Sequence, residues 1–419
     1  MPASGRPRPR LLFVSPRFLF PADEGGKIRT SNILRRMKGG RFEIVLASPA
    51  PPGAGAYADD IAAVCDRFVS WPARPSSDLR RALALASRLP IGVVGDRSAA
   101  GRRVVARAVA EAPDVVVADF PHAAVLTPDR IEPASVLFTH NVEAEIFERH
   151  ARVATGVWRL IWRDQARKMD AFERGACRRF DTVIAVSARD AAALEGRFGL
   201  SGVETIDTGV DLEYFRFSPP AEAPDPAPDG GTVVFTGVMD SPANIDGVEF
   251  LMREIWPLIA KARPRARALI VGRNPVASLP ALARERGLPF EFTGFVEDIR
   301  PHVAGAHVSV IPLRVGSGTR IKAFEAMAMG RPVVSTRVGV EGRDIEPGRH
   351  FLAADTAGEF AEATLRLLGD AGLRDGLARA ARARLEERFS WARVARQFED
   401  ICLRAMAAHA RRRGQAAGR

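Results

Sequence analysis

Residues 308–336 read VSVIPLRVGSGTRIKAFEAMAMGRPVVST. An apolar run ends at Pro312, a loop bearing Gly316 and Gly318 follows, and a helical pattern opens near Thr319. A strand, a glycine loop and a helix in that order make a phosphate cradle. The glycines let backbone N–H groups approach an anion, and the helix start adds orphan donors and a positive dipole end. The helix is nearly all apolar (Ile321, Ala323, Phe324, Ala326, Met327, Ala328, Met329), so most of its sides belong in a core. Yet it carries Lys322 and Glu325, three apart and on one face. Charges on a buried helix need partners. A nucleotide supplies them, phosphate for the ammonium and ribose hydroxyls for the carboxylate; the plainer alternative is a mutual ion pair at a surface edge. Two other nucleotide loops do not fit. The G-x-x-x-x-G-K-[ST] pattern is absent, and Ile321 stands where a dinucleotide fingerprint needs its third glycine.

Upstream, short Val/Ile/Leu-rich runs at 11–14, 43–47, 115–119, 136–140, 182–186 and 205–206 read as strands. Most are continuous rather than alternating, as in parallel strands covered on both faces. Helical patterns lie between them at 28–37, 102–111 and 143–179, and the alternation means α/β with parallel sheets. Residues 219–231, PPAEAPDPAPDGG, hold five prolines and two glycines and can continue neither a helix nor a central strand. They read as an interdomain linker, against the alternative of a long surface loop. The rhythm then restarts at 232–236, 268–272, 290–293, 308–312 and 332–336, with a helix whose apolar face runs from Ile245 to Ile259. The expected division is an N-terminal α/β domain over 11–218, the linker, a second α/β domain over 232–388, and a final helix at 389–408. Residues 1–10 and 409–419 are expected to be flexible tails.

The size agrees with two domains. At 419 residues the chain exceeds the roughly 250–300 residues at which single cores stop growing. No run of 18 or more apolar residues occurs, and the basic N-terminus lacks a cleavage pattern, so a cytosolic protein is expected. Cys65, Cys177 and Cys402 are scattered and odd in number, which implies neither a disulfide framework nor a zinc site. Net charge is +11, and five of the 61 basic residues are lysine. Positive charge suits anionic partners: nucleotides, nucleic acid or the acidic inner face of a membrane. The arginines are dispersed and no aromatic platform accompanies them, so nucleic acid is not an expected partner. Its diagnostic would be binding that falls steeply with salt and ignores nucleotide sugars.

The run GSGTRIKAFEAMAMGRPVVSTRVGVEG resembles the donor-nucleotide segment of retaining, group 1 glycosyltransferases of the GT-B fold. Other segments fall in the order of that family. Pro21 to Lys27, with Gly25 and Gly26, resembles its N-terminal glycine loop, and Phe138 to Asn141 its strand-end histidine motif. Ser187 and the run Thr208 to Asp211 resemble its serine turn and its N-G-V-D motif. Phe235 to Gly237 with Pro242 and Asn244, then Val271 to Arg273, resemble the first strands of the donor domain; Thr293 to Val296 resembles the turn that reads the base. The likeness runs from about residue 11 to 395.

It implies two Rossmann-like domains facing an interdomain cleft, with a last helix crossing back to the first domain. It also implies transfer of a sugar from a nucleoside diphosphate donor to a saccharide or lipid-linked hydroxyl, with retention, in surface polysaccharide or glycan biosynthesis. His140, Lys322 and Glu325 would be catalytic. Gly25, Gly26, Gly237, Arg273, Phe295, Val296, Gly316, Ser317, Gly318, Thr319 and Arg320 would bind the donor. No Asp-x-Asp stands at a strand end and no histidine pair has ligand spacing, so neither metal nor cofactor is expected. The chain departs from the family in two places. Ser317 stands where the first of two donor glutamates belongs, and 237–248 lacks the arginine and lysine many members carry, which shifts phosphate charge to Lys322, Arg320 or Arg273. A nucleotide-sugar epimerase, or a catalytically silent nucleotide-sugar-binding protein on the same fold, is the alternative.

Overall fold

The computed structural model describes residues 7–73, 84–219, 226–315, 321–341 and 344–417. They divide into two compact units, the first built from residues 1–207 and 391–419, the second from 208–390.

Unit 1 is a seven-stranded parallel sheet: β1 (Arg10–Val14), β2 (Glu43–Ala50), β3 (Arg67–Pro72), β4 (Val115–Asp119), β5 (Ala134–Phe138), β6 (Thr182–Ala185) and β7 (Glu204–Thr205), in the order 3-2-1-4-5-6-7. β3 was not legible: at an edge, half of RFVSWP is exposed, Trp71 alone is buried, and a proline closes it. The sheet explains the unbroken apolar runs. On β1, Leu11 and Phe13 enter one core while Leu12 and Val14 enter another, so both faces are covered. The first core is roofed by the helices Gly25–Met37 and Trp391–Ala417, with Phe398 lying 5.3 Å from Phe138 and 6.4 Å from Phe13, ring to ring. Cys65, Cys177 and Cys402 are buried free thiols.

The helix expected over 143–179 is two, Glu143–Val153 and Gly156–Arg179. The break is at Gly156, whose φ of +56° only glycine adopts without cost. The tail expected at 409–419 is helical as far as Ala417, because His409 and Arg412 pair with Asp181 at 3.3 and 2.5 Å.

Unit 2 has six parallel strands: β8 (Gly230–Thr236), β9 (Arg265–Val271), β10 (Phe290–Gly294), β11 (Val308–Ile311), β12 (Val333–Ser335) and β13 (Leu352–Ala353), in the order 10-9-8-11-12-13. The unit begins at Thr208, before the Pro-rich stretch taken as the linker. Val210 lies in this unit's core and its N–H donates to Phe389 O, while Arg331 Nη2 donates to Ser218 O, so 208–218 is bound here. Within that stretch, residues 220–225 lie outside the described residues, and 230–231 open β8. The apolar face expected over 245–259 spans Pro242–Phe250, a wide turn at Leu251–Ile255 and Trp256–Ala262. Pro257 accounts for the wide turn: it lacks an N–H and its ring clashes with the carbonyl four residues back.

In both sheets the strand order reverses beside the first strand, between β1 and β4 and between β8 and β11. Parallel α/β sheets hold ligands outside the strand C-termini at such switch points.

Candidate functional site

In unit 2 the switch point is built around a glycine and a lysine. β8 ends at Thr236, and Gly237 N–H donates to Val271 O at 2.9 Å, tying the ends of β8 and β9 together. A Cβ on Gly272 would stand 1.7 Å from Gly237 O, and its φ of +148° also favours glycine, so the two strand ends cross as bare backbone. Lys322, the second residue of the helix Ile321–Ala328, reaches this crossing. Its Nζ donates to Asn244 Oδ1 at 2.8 Å and lies 4.1 Å from the Phe235 ring centroid. Asn244 Nδ2 donates in turn to Val238 O at 2.8 Å. A Cβ at Gly237 would meet Asn244 Nδ2 at 2.7 Å and Lys322 Nζ at 2.9 Å. The ammonium is therefore held at a fixed point beside backbone that carries no side chain.

Glu325 lies one turn along the same helix, partly buried. Burial pushes its carboxyl up to about 7, against the opposing pull of the Lys322 charge. Among the described residues nothing hydrogen-bonds that carboxyl. Arg273 and Phe295 are exposed, Phe295 by 74%, while Val296 is partly buried against the small cluster of Val234, Val271 and Ala306. Met239 N–H donates to Arg273 O, and Asn274 Nδ2 to Asp240 Oδ2 at 2.9 Å, joining the two loops beyond β8 and β9. Gly316, Ser317, Gly318, Thr319 and Arg320 lie outside the described residues.

Unit 1 places His140 just past the end of β5, joined through Asp119 at the end of β4 to its own switch point, but differently. The imidazole is 2% exposed and both ring nitrogens are engaged. Arg29 Nη1 approaches Nδ1 at 2.8 Å, and Nε2 lies 2.7 Å from Asp119 Oδ1. A guanidinium only donates, so Nδ1 accepts and the ring is the neutral tautomer whose Nε2–H donates to Asp119. Burial lowers the pKa of His140, opposed by the Asp119 carboxylate. Asp119 also accepts from Ser15 Oγ at 3.0 Å and Thr30 Oγ1 at 3.1 Å. Phe120 stacks on His140 at 3.8 Å, and a Cβ on Gly26 would meet the Phe120 ring at 2.4 Å. Gly25 opens the helix Gly25–Met37 and is exposed. The histidine that the resemblance makes catalytic thus has both ring nitrogens engaged by Arg29 and Asp119.

Sequence reasoning passed over Asp119, Arg29 and Asn244 as site residues. Asp119 had a signal, a carboxylate closing the apolar run VVVAD. Ser187 caps the helix Ala188–Phe198, accepting from Asp190 N–H at 3.0 Å, and Asp211 Oδ1 accepts from the N–H groups of Glu213 and Tyr214. Among the described residues no group of three His, Cys, Asp or Glu is placed to hold a metal ion.

A family model described as glycosyl transferases group 1 matches residues 230–370, and one described as glycosyltransferase family 4 matches residues 24–214. The chain is 28% identical over 271 residues to D-inositol 3-phosphate glycosyltransferase 2 of Catenulispora acidiphila, covering 59% of each chain. It is 31% identical over 236 residues to the D-inositol 3-phosphate glycosyltransferase of a Nocardioides species, covering 49% of each. The chain therefore spans about half to three-fifths of these relatives' length. Among solved structures it is similar to the sucrose-phosphate synthase of Thermosynechococcus elongatus (TM-score 0.65, 18% identity, 95% of this chain and 100% of that one). It is also similar to Anabaena HepE in complex with UDP (TM-score 0.63, 18% identity, 94% and 99%). At these identities the likeness is one of fold.

Proposed function

Because the chain belongs to the group 1 glycosyltransferases of the GT-B fold, we propose that it moves a glycosyl group from a nucleoside diphosphate sugar to an acceptor hydroxyl. The carrying observation is Lys322, pinned by Asn244 and Phe235 beside the bare backbone of Gly237. As the bond from the sugar to the diphosphate breaks, negative charge gathers on the leaving oxygens. A cation already in position stabilises that charge without reorganising. Lys322 takes the role that the missing residues of 237–248 fill in other members, with Arg273 and Arg320 as further cations. Glu325, near half-protonation at neutral pH, can both accept from and donate to sugar hydroxyls.

The reaction retains anomeric configuration and needs no metal, since lysine, arginine and helix-end donors supply the charge. The transferred group is a hexosyl group and the acceptor a saccharide or lipid-linked hydroxyl, a reading supported by relatives named for inositol phosphate and phosphatidylinositol mannoside acceptors. Unit 2 binds the donor and unit 1 the acceptor. Calorimetry with UDP, GDP and ADP tests the core of this. Lys322→Ala should lose roughly 1.5–3 kcal/mol of diphosphate binding, the range for a charge-assisted hydrogen bond. Equal affinity in parent and variant refutes the phosphate assignment. NMR of the product anomer tests retention, and transfer that EDTA abolishes and magnesium restores refutes metal independence.

A further inference from the structure

The helical hairpin of unit 1, Glu143–Val153 and Gly156–Arg179, carries a surface that neither fold nor donor binding requires. At the start of its second helix Val157, Trp158 and Leu160 stand 64%, 63% and 64% exposed in adjacent positions. Isolated exposed apolar side chains are ordinary; three together at the turn end of one hairpin are not. The tip rests on a firm base, because Trp162 stacks on His150 at 4.5 Å and meets Phe147 edge-on at 5.7 Å.

Behind the tip lies an open groove of about 590 Å³ with arginines along both helices. Arg159, Arg163 and Arg167 repeat every four residues and so form one stripe, faced by Arg152 from the first helix. The groove's acids are already committed. Arg197 holds Asp170 at 2.5 Å and also pairs with Glu148, and Arg167 pairs with Asp164 at 3.0 Å. Among the described residues Arg152, Arg159 and Arg163 have no ion pair. An apolar tip with a tryptophan, backed by uncompensated arginines, matches a surface that is apolar just below a layer of negative charge. Among the described residues no helix is long and apolar enough to cross a membrane, so such a contact lies on the surface.

We propose that this hairpin docks on an anionic lipid bilayer, with Val157, Trp158 and Leu160 among the lipid glycerol and upper acyl groups and the arginine stripe on the headgroup phosphates. The charge pattern selects this occupant over a second copy of the chain, which would set one arginine stripe against another.

The test uses the full chain and vesicle co-sedimentation, with phosphatidylglycerol in phosphatidylcholine compared against phosphatidylcholine alone. The parent should bind the anionic vesicles, weakly or not at all the neutral ones, and release as salt rises. Val157→Ser/Trp158→Ser/Leu160→Ser should lose at least about tenfold in partitioning, since three apolar side chains stay in water. Arg159→Gln/Arg163→Gln should lose about fivefold per arginine. All five side chains are exposed, so thermal midpoints should match the parent's, and the arginine variant is an independent probe should the triple variant unfold. Absence of binding to anionic vesicles, equal binding to neutral ones, or unchanged binding in both variants overturns the proposal. So does a dimer of the parent, seen by sedimentation, that the triple variant dissolves while vesicle binding persists. None of these outcomes bears on Lys322, so donor binding stands or falls separately.

Discussion

The two units place polar residues at the same topological position and use them in opposite ways. At the switch point of unit 1, Ser15, Arg29, Thr30, Asp119 and His140 are linked to one another by hydrogen bonds, all within a few per cent of full burial. At that of unit 2, the Lys322 ammonium is positioned by Asn244 and Phe235 while, among the described residues, the Glu325 carboxyl has no hydrogen bond and Arg273 and Phe295 stand exposed. A closed network fixes backbone and costs heavily to break; an open one keeps capacity for a ligand. The contrast separates residues that shape a site from residues that touch what enters it.

The largest expected effect probes backbone crossing in unit 2. Gly272→Ala drives a methyl into the Gly237 carbonyl, which cannot swing aside, and should cost more than about 4 kcal/mol in urea unfolding. A mild loss would mean that the strand ends part easily and that the site is soft.

His140→Ala comes next. It strips hydrogen bonds from Asp119 and Arg29 and should cost about 3 kcal/mol of unit 1 stability. UDP or GDP affinity should stay within a factor of about three, because unit 2 supplies those contacts; turnover should fall at least about tenfold, about 1.4 kcal/mol of barrier. Stability unchanged with turnover lost would move His140 from the closed class to the open one.

Gly26→Ala is the milder counterpart of the first. Its obstacle is the Phe120 ring, a side chain that can shift against His140, so about 1–3 kcal/mol is expected from thermal unfolding.

The smallest effect is a slope with pH. Glu325 holds its proton up to about 7 in the folded chain against an ordinary value of 4.5. Across that window the folded state carries a proton the unfolded state has lost, so stability falls as pH rises through it. Glu325→Gln should flatten that part. Glu173, which burial pushes up to about 8, adds a slope of the same sign to both proteins and cancels in the difference. Parallel curves for parent and variant would show Glu325 to be solvated and ordinary.

Much of this arrangement was legible. Continuous apolar runs announced doubly covered parallel strands, and Lys322 and Glu325 stood out because charge on an apolar helix demands a reason. Long-range partners were not legible: nothing local links Asp119 to His140, or Asn244 to Lys322, across 21 and 78 positions. The domain boundary was misread for a related cause. Proline marks where regular structure stops, whereas 208–218 joins unit 2 through contacts with Phe389 and Arg331. His140 was read from its strand-end position, which cannot tell a ring facing solvent from one facing Asp119.

Unit 1 is discontinuous in sequence, and its last helix, Trp391–Ala417, completes the cover of one sheet face with Val394, Phe398, Ile401 and Cys402, beside the helix Gly25–Met37. A ribosome makes β1 through β7 long before that cover exists. Unit 2, one uninterrupted segment, is complete while Phe13 and Phe138 still lack the Phe398 ring. Birth order and folding order are therefore reversed: the domain synthesised first finishes last. Until that helix arrives, the uncovered part of the face is the surface that a chaperone, or a neighbouring nascent chain, meets.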